Sequence, residues 1–442
     1  MDRPSGSVED YQRKCAALAA AVNQAKARGE QIGLRKATSN LFRRRSAGGK
    51  RLIDVRAFDR VLRIDAEAMT AEVEGMIPYD ALVAETLKYG LLPAVVPQLK
   101  TITVGGAVSG LGIESSSFKF GLVHETVEEM DILLGDGRLT ACSCETNPDL
   151  FFGFPNSYGT LGYALRLRIR LIPAKPYVHL THTRFAKANE YFSRIAQVCE
   201  QGRADYVDGT IFSAGEMYLT EGEFAHDAPS ASDYTYRNIY YQSIRSKPED
   251  WLTAKDYIWR WDTDWFWCSK HFYVQNPAIR RWAKWGLNSR TYQRIMRLSQ
   301  RLLPDTGGTE SVIQDVDIPI ENAPEFFEFL LSEIGITPVW MCPFNTDPSR
   351  KWDLSPLRPS QLYVNFGFWD VIPSAHEPGH FNRKIERKAM ELCGAKGLYS
   401  SAWYAEKEFW SIYDRPRYLE LKRKYDPQGV FPDLYSKCVR RG

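Results

Sequence analysis

Between Thr103 and Gly121 the chain reads TVGGAVSGLGIESSSFKFG. Gly105, Gly106, Gly110 and Gly112 carry no Cβ, so this backbone can take positive φ and let successive N–H groups converge on an anion such as a phosphate. Ser115, Ser116 and Ser117 add hydroxyl donors. A tight glycine-rich turn packed on its own sheet satisfies the same pattern, so the loop alone decides nothing. Upstream, GLRKATSNLFRRR (Gly33 to Arg45) gathers cations, hydroxyls and an amide. It admits two readings: a second phosphate-contacting loop using Lys36, Thr38, Ser39 and Asn40, or a solvated basic turn. Downstream, Gly159 and Gly162 mark a third place where backbone can close on a ligand.

Such loops need elements to hold them. Val8, Tyr11, Cys15, Leu18 and Val22 have helical spacing, with Gly29 placed to end the helix. Gln31 to Leu34 and Leu52 to Val55 read as strands, and residues 60–75 as two more around a polar turn. Pro78 opens a helix presenting Tyr79, Leu82, Val83, Thr86 and Leu87 on one face and stopping at Gly90. Pro93 and Pro97 keep the approach to the glycine loop extended. EEMDILLGDGRLTAC reads as a hairpin turning at Asp136 and Gly137. Leu165, Leu167, Ile169 and Leu171 then alternate with Arg166, Arg168 and Arg170, one buried face and one wet face at strand period.

Pro173 and Pro176 break that pattern and mark a domain boundary. Beyond it, Tyr191, Phe192, Ile195, Val198 and Cys199 predict a helix, and seven of the twelve tryptophans fall between Trp251 and Trp285. Trp259, Trp261, Trp265 and Trp267 are interleaved with Arg260, Asp262 and Asp264; a cluster of this density fits a core, the lining of an apolar tunnel, or a lipid-facing surface. PVWMCPF (Pro338 to Phe344) and QLYVNFGFW (Gln361 to Trp369) read as strands. The C-terminal segment ends in a polar helix stopped by Asp426 and Pro427.

Length and composition narrow the function classes. The chain has 442 residues, 44% of them hydrophobic and 13% aromatic, enough for two domains. A net charge of +3 and short basic runs at Arg43 to Arg45 and Arg440 to Arg441 argue against nucleic acid. Eight cysteines lie scattered without metal-ligand spacing, which predicts a reducing compartment and no metal site. The N-terminal MDRPSGSVEDYQRK lacks an apolar signal core and no stretch reaches membrane-span length, so the expectation is a cytoplasmic protein, at most peripheral at the inner face of a membrane.

The order TVGG, GLGIESSSFKFGL, a GDG hairpin, NSYGTLGYALRLRIRLIPAKPY and a terminal KYDP resembles flavoproteins of the vanillyl-alcohol oxidase and p-cresol methylhydroxylase (PCMH) fold. Within that fold the chain is similar to the 24-dehydrocholesterol (delta24-sterol) reductase group and its soluble bacterial relatives, including methylene-fatty-acyl reductases. The similarity is strongest over residues 93–178. It implies an α+β chain: a PCMH-type, two-subdomain FAD-binding domain over residues 1–176, an inserted α+β cap or substrate domain over 177–395, and a segment, 396–442, returning to the FAD domain. It also implies that Pro97, Thr103, Gly105, Gly106, Gly110, Gly112, Ile113, Glu114 and Ser115 hold FAD, together with Gly159, Gly162 and Ile169 and the loop residues Lys36, Thr38, Ser39 and Asn40. Residues 35–43 contain neither glycine nor histidine, unlike the loop to which many relatives attach the flavin; FAD is therefore expected to be non-covalent unless a cap histidine such as His271 reaches it.

A flavin supplies hydride, so reduction of an alkene also needs a proton donor. The candidates are Tyr399, Tyr404 and Glu408, then Tyr273, with Asp262 and Asp264 behind them. No separate GxGxxG stands in a βαβ setting, so NADPH as electron donor is expected to visit the flavin in alternation with the substrate. The implied activity is reduction of a lipid double bond, in a methylene-branched fatty acyl chain or a sterol side chain. Two alternatives stand beside it: an oxidase or dehydrogenase of an alcohol or alkyl substrate, and a non-catalytic flavoprotein serving a partner such as a lipid methyltransferase. Arg280, Arg281, Trp282 and Trp285 form a candidate membrane-contact patch.

Overall fold

The computed structural model describes residues 8–39, 42, 49–283, 286–302 and 308–439, with side chains described except at 296–302. Asn40 and Trp285, and the basic runs at 43–45 and 440–441, lie outside the described residues.

The N-terminal part begins with the helix Val8–Ala27, which buries Tyr11, Cys15, Leu18 and Val22 as the spacing predicts. It packs on a parallel pair, β1 (Gln31–Arg35) and β2 (Lys50–Asp54), with Ile32 and Ile53 in the shared core. The first large sheet follows: β3 (Val61–Asp65), β4 (Thr70–Glu74), β5 (Leu91–Pro93), β6 (Val127–Leu133), β7 (Leu139–Ser143) and β8 (Tyr163–Pro173). Its order is β3-β4-β8-β6-β7, with β5 paired to the end of β8. The alternation in β8 has its expected consequence. Leu165, Leu167, Ile169 and Leu171 are buried, while Arg166 on the wetter face joins three strands by hydrogen bonds to Glu72 (3.2 Å), Asp131 (2.8 Å) and Glu129.

The chain changes sheets between Pro173 and Tyr177. The second sheet holds β9 (Tyr177–Phe185), β10 (Tyr206–Ser213), β11 (Glu216–Ala225), β12 (Glu249–Thr253), β13 (Thr309–Pro319), β14 (Val339–Asn345), β15 (Leu362–Pro373) and β16 (Ala395–Lys396), in the order β12-β9-β11-β10-β14-β15-β13-β16. One face is covered by the helices Ala188–Gln201, Ala323–Phe329 and His380–Glu391, whose Ile195, Phe326 and Ile385 pack with Val316, Met341 and Phe366. Because side chains alternate along a strand, the opposite face receives Asp208 from β10, Trp340 from β14, Asn365 and Trp369 from β15, and Asp315 and Asp317 from β13. That face looks toward the first sheet's loops.

The two sheets are tied together by a buried polar junction. Val207 N–H donates to the Ser115 carbonyl at 2.8 Å, and the Ser115 and Tyr257 hydroxyls lie 2.9 Å apart. Arg260, 2% exposed, donates to Asp208 at 2.6 Å and to Glu114 at 3.5 Å, with its guanidinium 4.0 Å from the Tyr257 ring. A charge so buried persists only when its partners are in place.

Candidate functional site

A cavity of ≈ 1530 Å³ lies where the loops of the first sheet meet the open face of the second. Single-ligand pockets run to roughly 300–1,000 Å³, so this one has room for a large cofactor and a second molecule.

Its floor comes from the glycine-rich segment, with a geometry different from the expected turn. Residues Val104–Ser109 form a short helix after Thr103, and Ser117–Phe120 form another. None of Gly105, Gly106, Gly110 or Gly112 has positive φ. Close approach explains these glycines instead. A Cβ on Gly105 would lie 2.8 Å from the Gly75 carbonyl oxygen, and one on Gly112 3.0 Å from Ala107 Cβ. A Cβ on Gly106 would stand 2.8 Å from Thr103 Oγ1 and 3.7 Å from Lys36 Nζ, on the side where Lys36 donates to Thr103 at 3.4 Å. Gly159 does use its conformational freedom, at φ 72°. Lys437 donates to the carbonyls of Tyr158 and Gly159, which brings a second ammonium group to the floor.

The wall is aromatic. Phe42 stacks on Trp265 (5.6 Å between ring centroids), and Phe266 packs on Trp369 (4.4 Å) and Trp340 (5.7 Å). Trp265 and Phe266 have φ of 45° and 61°. Bulky residues rarely take these left-handed values and do so where the surroundings impose them.

The expected cofactor residues divide cleanly. Lys36, Thr38, Ser39, Pro97, Thr103, Gly105, Gly106, Gly110, Gly112, Ile113, Gly159 and Gly162 all line the cavity. Glu114, Ser115 and Ile169 do not. The first two are committed to the Arg260 junction, and Ile169 is buried in β8 between Ala71 and Val127. Among the proton-donor candidates, Tyr399 lines the cavity. Tyr404 is buried among Phe409 and its neighbours, and Glu408 caps its own helix by accepting from the Ala405 N–H at 2.8 Å. Tyr273 is 78% exposed. Asp262 accepts from Lys100 N–H and Ser289, and Asp264 holds Arg280 through two bonds. Arg280 is therefore buried rather than part of a surface patch, whereas Trp282 is 85% exposed.

Of the cap tryptophans, Trp265 reaches the cavity; Trp267 is fully buried and donates to the Trp369 carbonyl at 3.3 Å. His271 lines the cavity with Nε2 3.3 Å from Asp370.

Among the lining residues that escaped the sequence reading, two are acids on one strand. Asp315 and Asp317 project from β13 into the cavity, and burial pushes each carboxyl up to about 7. The nearby Tyr399 hydroxyl partly opposes the rise at Asp315; a hydrogen bond from Asn365 (2.8 Å) does so at Asp317, which nearby Asp315 raises further. The available signal was the period-two run ESVIQDVDIP, which sets both carboxylates on one strand face.

Residues 12–143 match the family described as FAD binding domain. The chain is 26% identical to the Delta(24)-sterol reductase of Homo sapiens over 395 residues, covering 86% of this chain and 76% of that protein. The Delta(24)-sterol reductase of Pisum sativum is 26% identical over 440 residues, covering 88% of this chain and 76% of its own. Cytokinin dehydrogenase 6 of Oryza sativa subsp. japonica is 25% identical over 383 residues, covering 78% and 68% respectively.

The chain is an FAD-dependent oxidoreductase. Its fold is α+β with a PCMH-type FAD-binding domain, and it resembles the Delta(24)-sterol reductases. The cavity floor fits the cofactor. The open side of Gly106 faces Lys36, and Lys437 lies beside Gly159, so backbone without side chains is combined with cations suited to a diphosphate. The flavin of this oxidoreductase supplies hydride chemistry; the protein's part is to position, desolvate and protonate what meets it.

Proposed function

We propose that this oxidoreductase reduces a carbon–carbon double bond in a lipid chain, with NADPH as electron donor and FAD held without a covalent bond. The observation that carries this reading is the joining, in one cavity, of the glycine-and-lysine floor to the aromatic wall of Trp265, Phe266, Trp340 and Trp369. Such a wall suits an apolar chain and keeps water from the reacting carbons. The likeness to sterol reductases supports it, because a match over 86% of the chain necessarily includes much of the second sheet as well as the FAD-binding part. A methylene-branched acyl chain or a sterol side chain fits the chemistry.

The lipid is proposed to arrive from an anionic membrane surface. Residues 265–304 contain eight Lys or Arg and no Asp or Glu; Arg280 among them is buried on Asp264, while Tyr273, Ile279 and Trp282 are exposed there. Trp265, Cys268, His271 and Phe272 of the same stretch line the cavity. Among the described residues no helix is long and apolar enough to cross a membrane.

The likeness to a cytokinin dehydrogenase favours a second reading, oxidation of an alcohol or alkyl substrate. Lipid extraction after expression in a host lacking the gene separates the two. Conversion of an unsaturated or methylene-bearing lipid to its saturated form supports reduction; an unchanged lipid profile, with flavin reduced by alcohols and reoxidised by oxygen, supports the alternative.

A further inference from the structure

Reduction of an alkene needs a proton source, and the cavity sets the candidate donor Tyr399 beside an acid with no assigned role. Tyr399 presents its hydroxyl beside Asp315, and Trp369 Nε1–H donates to the same hydroxyl oxygen at 3.2 Å. With one lone pair of Tyr399 occupied by the indole, its own proton is left to the acid or to a molecule in the cavity. The tyrosine is held firmly. Gly397 N–H donates to the Asp315 carbonyl at 2.9 Å, anchoring the turn that carries Tyr399 onto β13, and Phe42 N–H donates to the Tyr399 carbonyl at 3.0 Å. Asp315 Oδ1 is buried with no hydrogen-bond partner among the described residues, against Gly367, where a Cβ would stand only 2.7 Å from it.

The surroundings of this acid raise its carboxyl to about 7, so protonated and ionised forms coexist near neutral pH. Among the described residues neither Asp315 nor Asp317 makes an ion pair. Lys396, on neighbouring β16, donates instead to Glu386 (3.4 Å) and the Ser401 carbonyl (2.7 Å). Lys270 and His271 are matched by Asp370 on β15. Asp208, on the same face, is paired with Arg260, and Asp317, two residues along β13, opposes ionisation of Asp315 when it is itself ionised. Burial also pushes the Tyr399 hydroxyl well above its usual value, so the tyrosine keeps its proton until a neighbour can replace it.

We propose that Asp315 is the proton reservoir of this site: its carboxyl proton passes to Tyr399 as the Tyr399 hydroxyl protonates the alkene carbon next to the one that receives hydride. This rests on the double-bond reduction proposed above. The π bond breaks, one C–H bond forms with hydride from the reduced flavin, and the other forms with the Tyr399 proton. Tyr399 ends protonated, Asp315 ends as a carboxylate, and a solvent proton restores it. The two electrons come from the reduced nicotinamide. Tyr399 touches the substrate; Asp315 acts through it.

The test uses Asp315→Asn, Tyr399→Phe and the double variant as FAD-loaded proteins, with the two half-reactions measured separately under anaerobic conditions. Flavin reduction by NADPH should stay within about twofold of wild type, while reoxidation by an alkene lipid should fall roughly 10²-fold or more in each single variant. The double variant should lose no more than either single one, because the two groups act as a unit. The wild-type lipid half-reaction should slow above about pH 7 as Asp315 ionises, and the Asp315→Asn protein should lose that inflection. Carboxyl ¹³C NMR of aspartate-labelled protein without FAD gives an independent readout: one resonance titrating near pH 7 should vanish in Asp315→Asn. An unchanged lipid half-reaction and pH profile in Asp315→Asn, equal loss of both half-reactions, or an Asp315 carboxyl ionised throughout pH 5–8 would each overturn the proposal alone. A wild-type protein that reduces no alkene lipid would overturn the functional reading with it.

Discussion

Asp208 and Asp315 are acids on the same face of the same sheet, and their surroundings give them opposite uses. Asp208, on β10, meets the guanidinium of Arg260 at 2.6 Å and the indole N–H of Trp340 at 3.1 Å. Asp315, on β13, meets no cation among the described residues; a phenol and a glycine are its neighbours. Pairing fastens the first into the joint between the two sheets. Absence of pairing in a desolvated site raises the second to about 7, so that it can give up and regain a proton near neutrality, which is what a donor of protons requires. Burial alone therefore does not separate structural from chemical acids, whereas the charge facing them does.

The sharpest way to break the comparison is at the joint. Arg260→Met strands Asp208 and Glu114 without their counter-charge, and it should destabilise the protein by about 3–5 kcal/mol, read as a lower urea midpoint. Asp315→Asn should leave that midpoint close to wild type at pH 6. If the two variants are equally destabilised, the distinction between fastening acid and poised acid fails.

Next in size is an effect on the floor. Gly106→Leu places a side chain between Thr103 and Lys36, so the protein should fold and purify without flavin, whereas wild type should purify yellow and release intact FAD on acid precipitation. Retained flavin in the variant would remove the floor from cofactor binding. A smaller effect belongs to the wall: Trp265→Ala should raise the apparent KM for lipid roughly tenfold with FAD content unchanged. Loss of flavin or of folding would return Trp265 to the core.

The smallest expected effect is on stability against pH. Asp315 and Asp317 ionise about pH 7 when folded and near 4 in an unfolded chain. Their native carboxyls therefore bind protons more tightly than the unfolded ones, and the associated stability, fully present below about pH 4, is lost as pH rises through about 7. The unfolding free energy of FAD-free protein should fall across that window, and less so in the Asp315→Asn, Asp317→Asn double variant. An identical slope in both proteins would show that the carboxyls titrate normally.

The two halves of the cavity differed in how readily the sequence disclosed them. The floor is contiguous backbone, so Thr103 to Ile113 stood out as a stretch of sequence; the error came at Glu114 and Ser115, where the chain turns into the helix Ser117–Phe120 and delivers those side chains to Arg260. Positive φ was also the wrong reason for most of its glycines, since neighbouring atoms, invisible in one dimension, exclude a Cβ there. The wall and the acid come from alternate residues of strands far apart in the chain. ESVIQDVDIP discloses a face with two carboxylates, but only the tertiary arrangement shows that this face looks into a cavity rather than water. Tyr399 and Tyr404 were indistinguishable for the same reason: five residues of mostly irregular chain carry one to the cavity and the other into the core.

The most direct measurement is anaerobic mixing of the NADPH-reduced flavoprotein with an alkene lipid, followed by flavin absorbance and lipid mass. The yellow colour should return with the gain of two hydrogens by the lipid, faster at pH 6 than at pH 8. A flavin that stays bleached in the presence of methylene-acyl and sterol substrates, yet reoxidises at once in air, would contradict reduction of a lipid double bond.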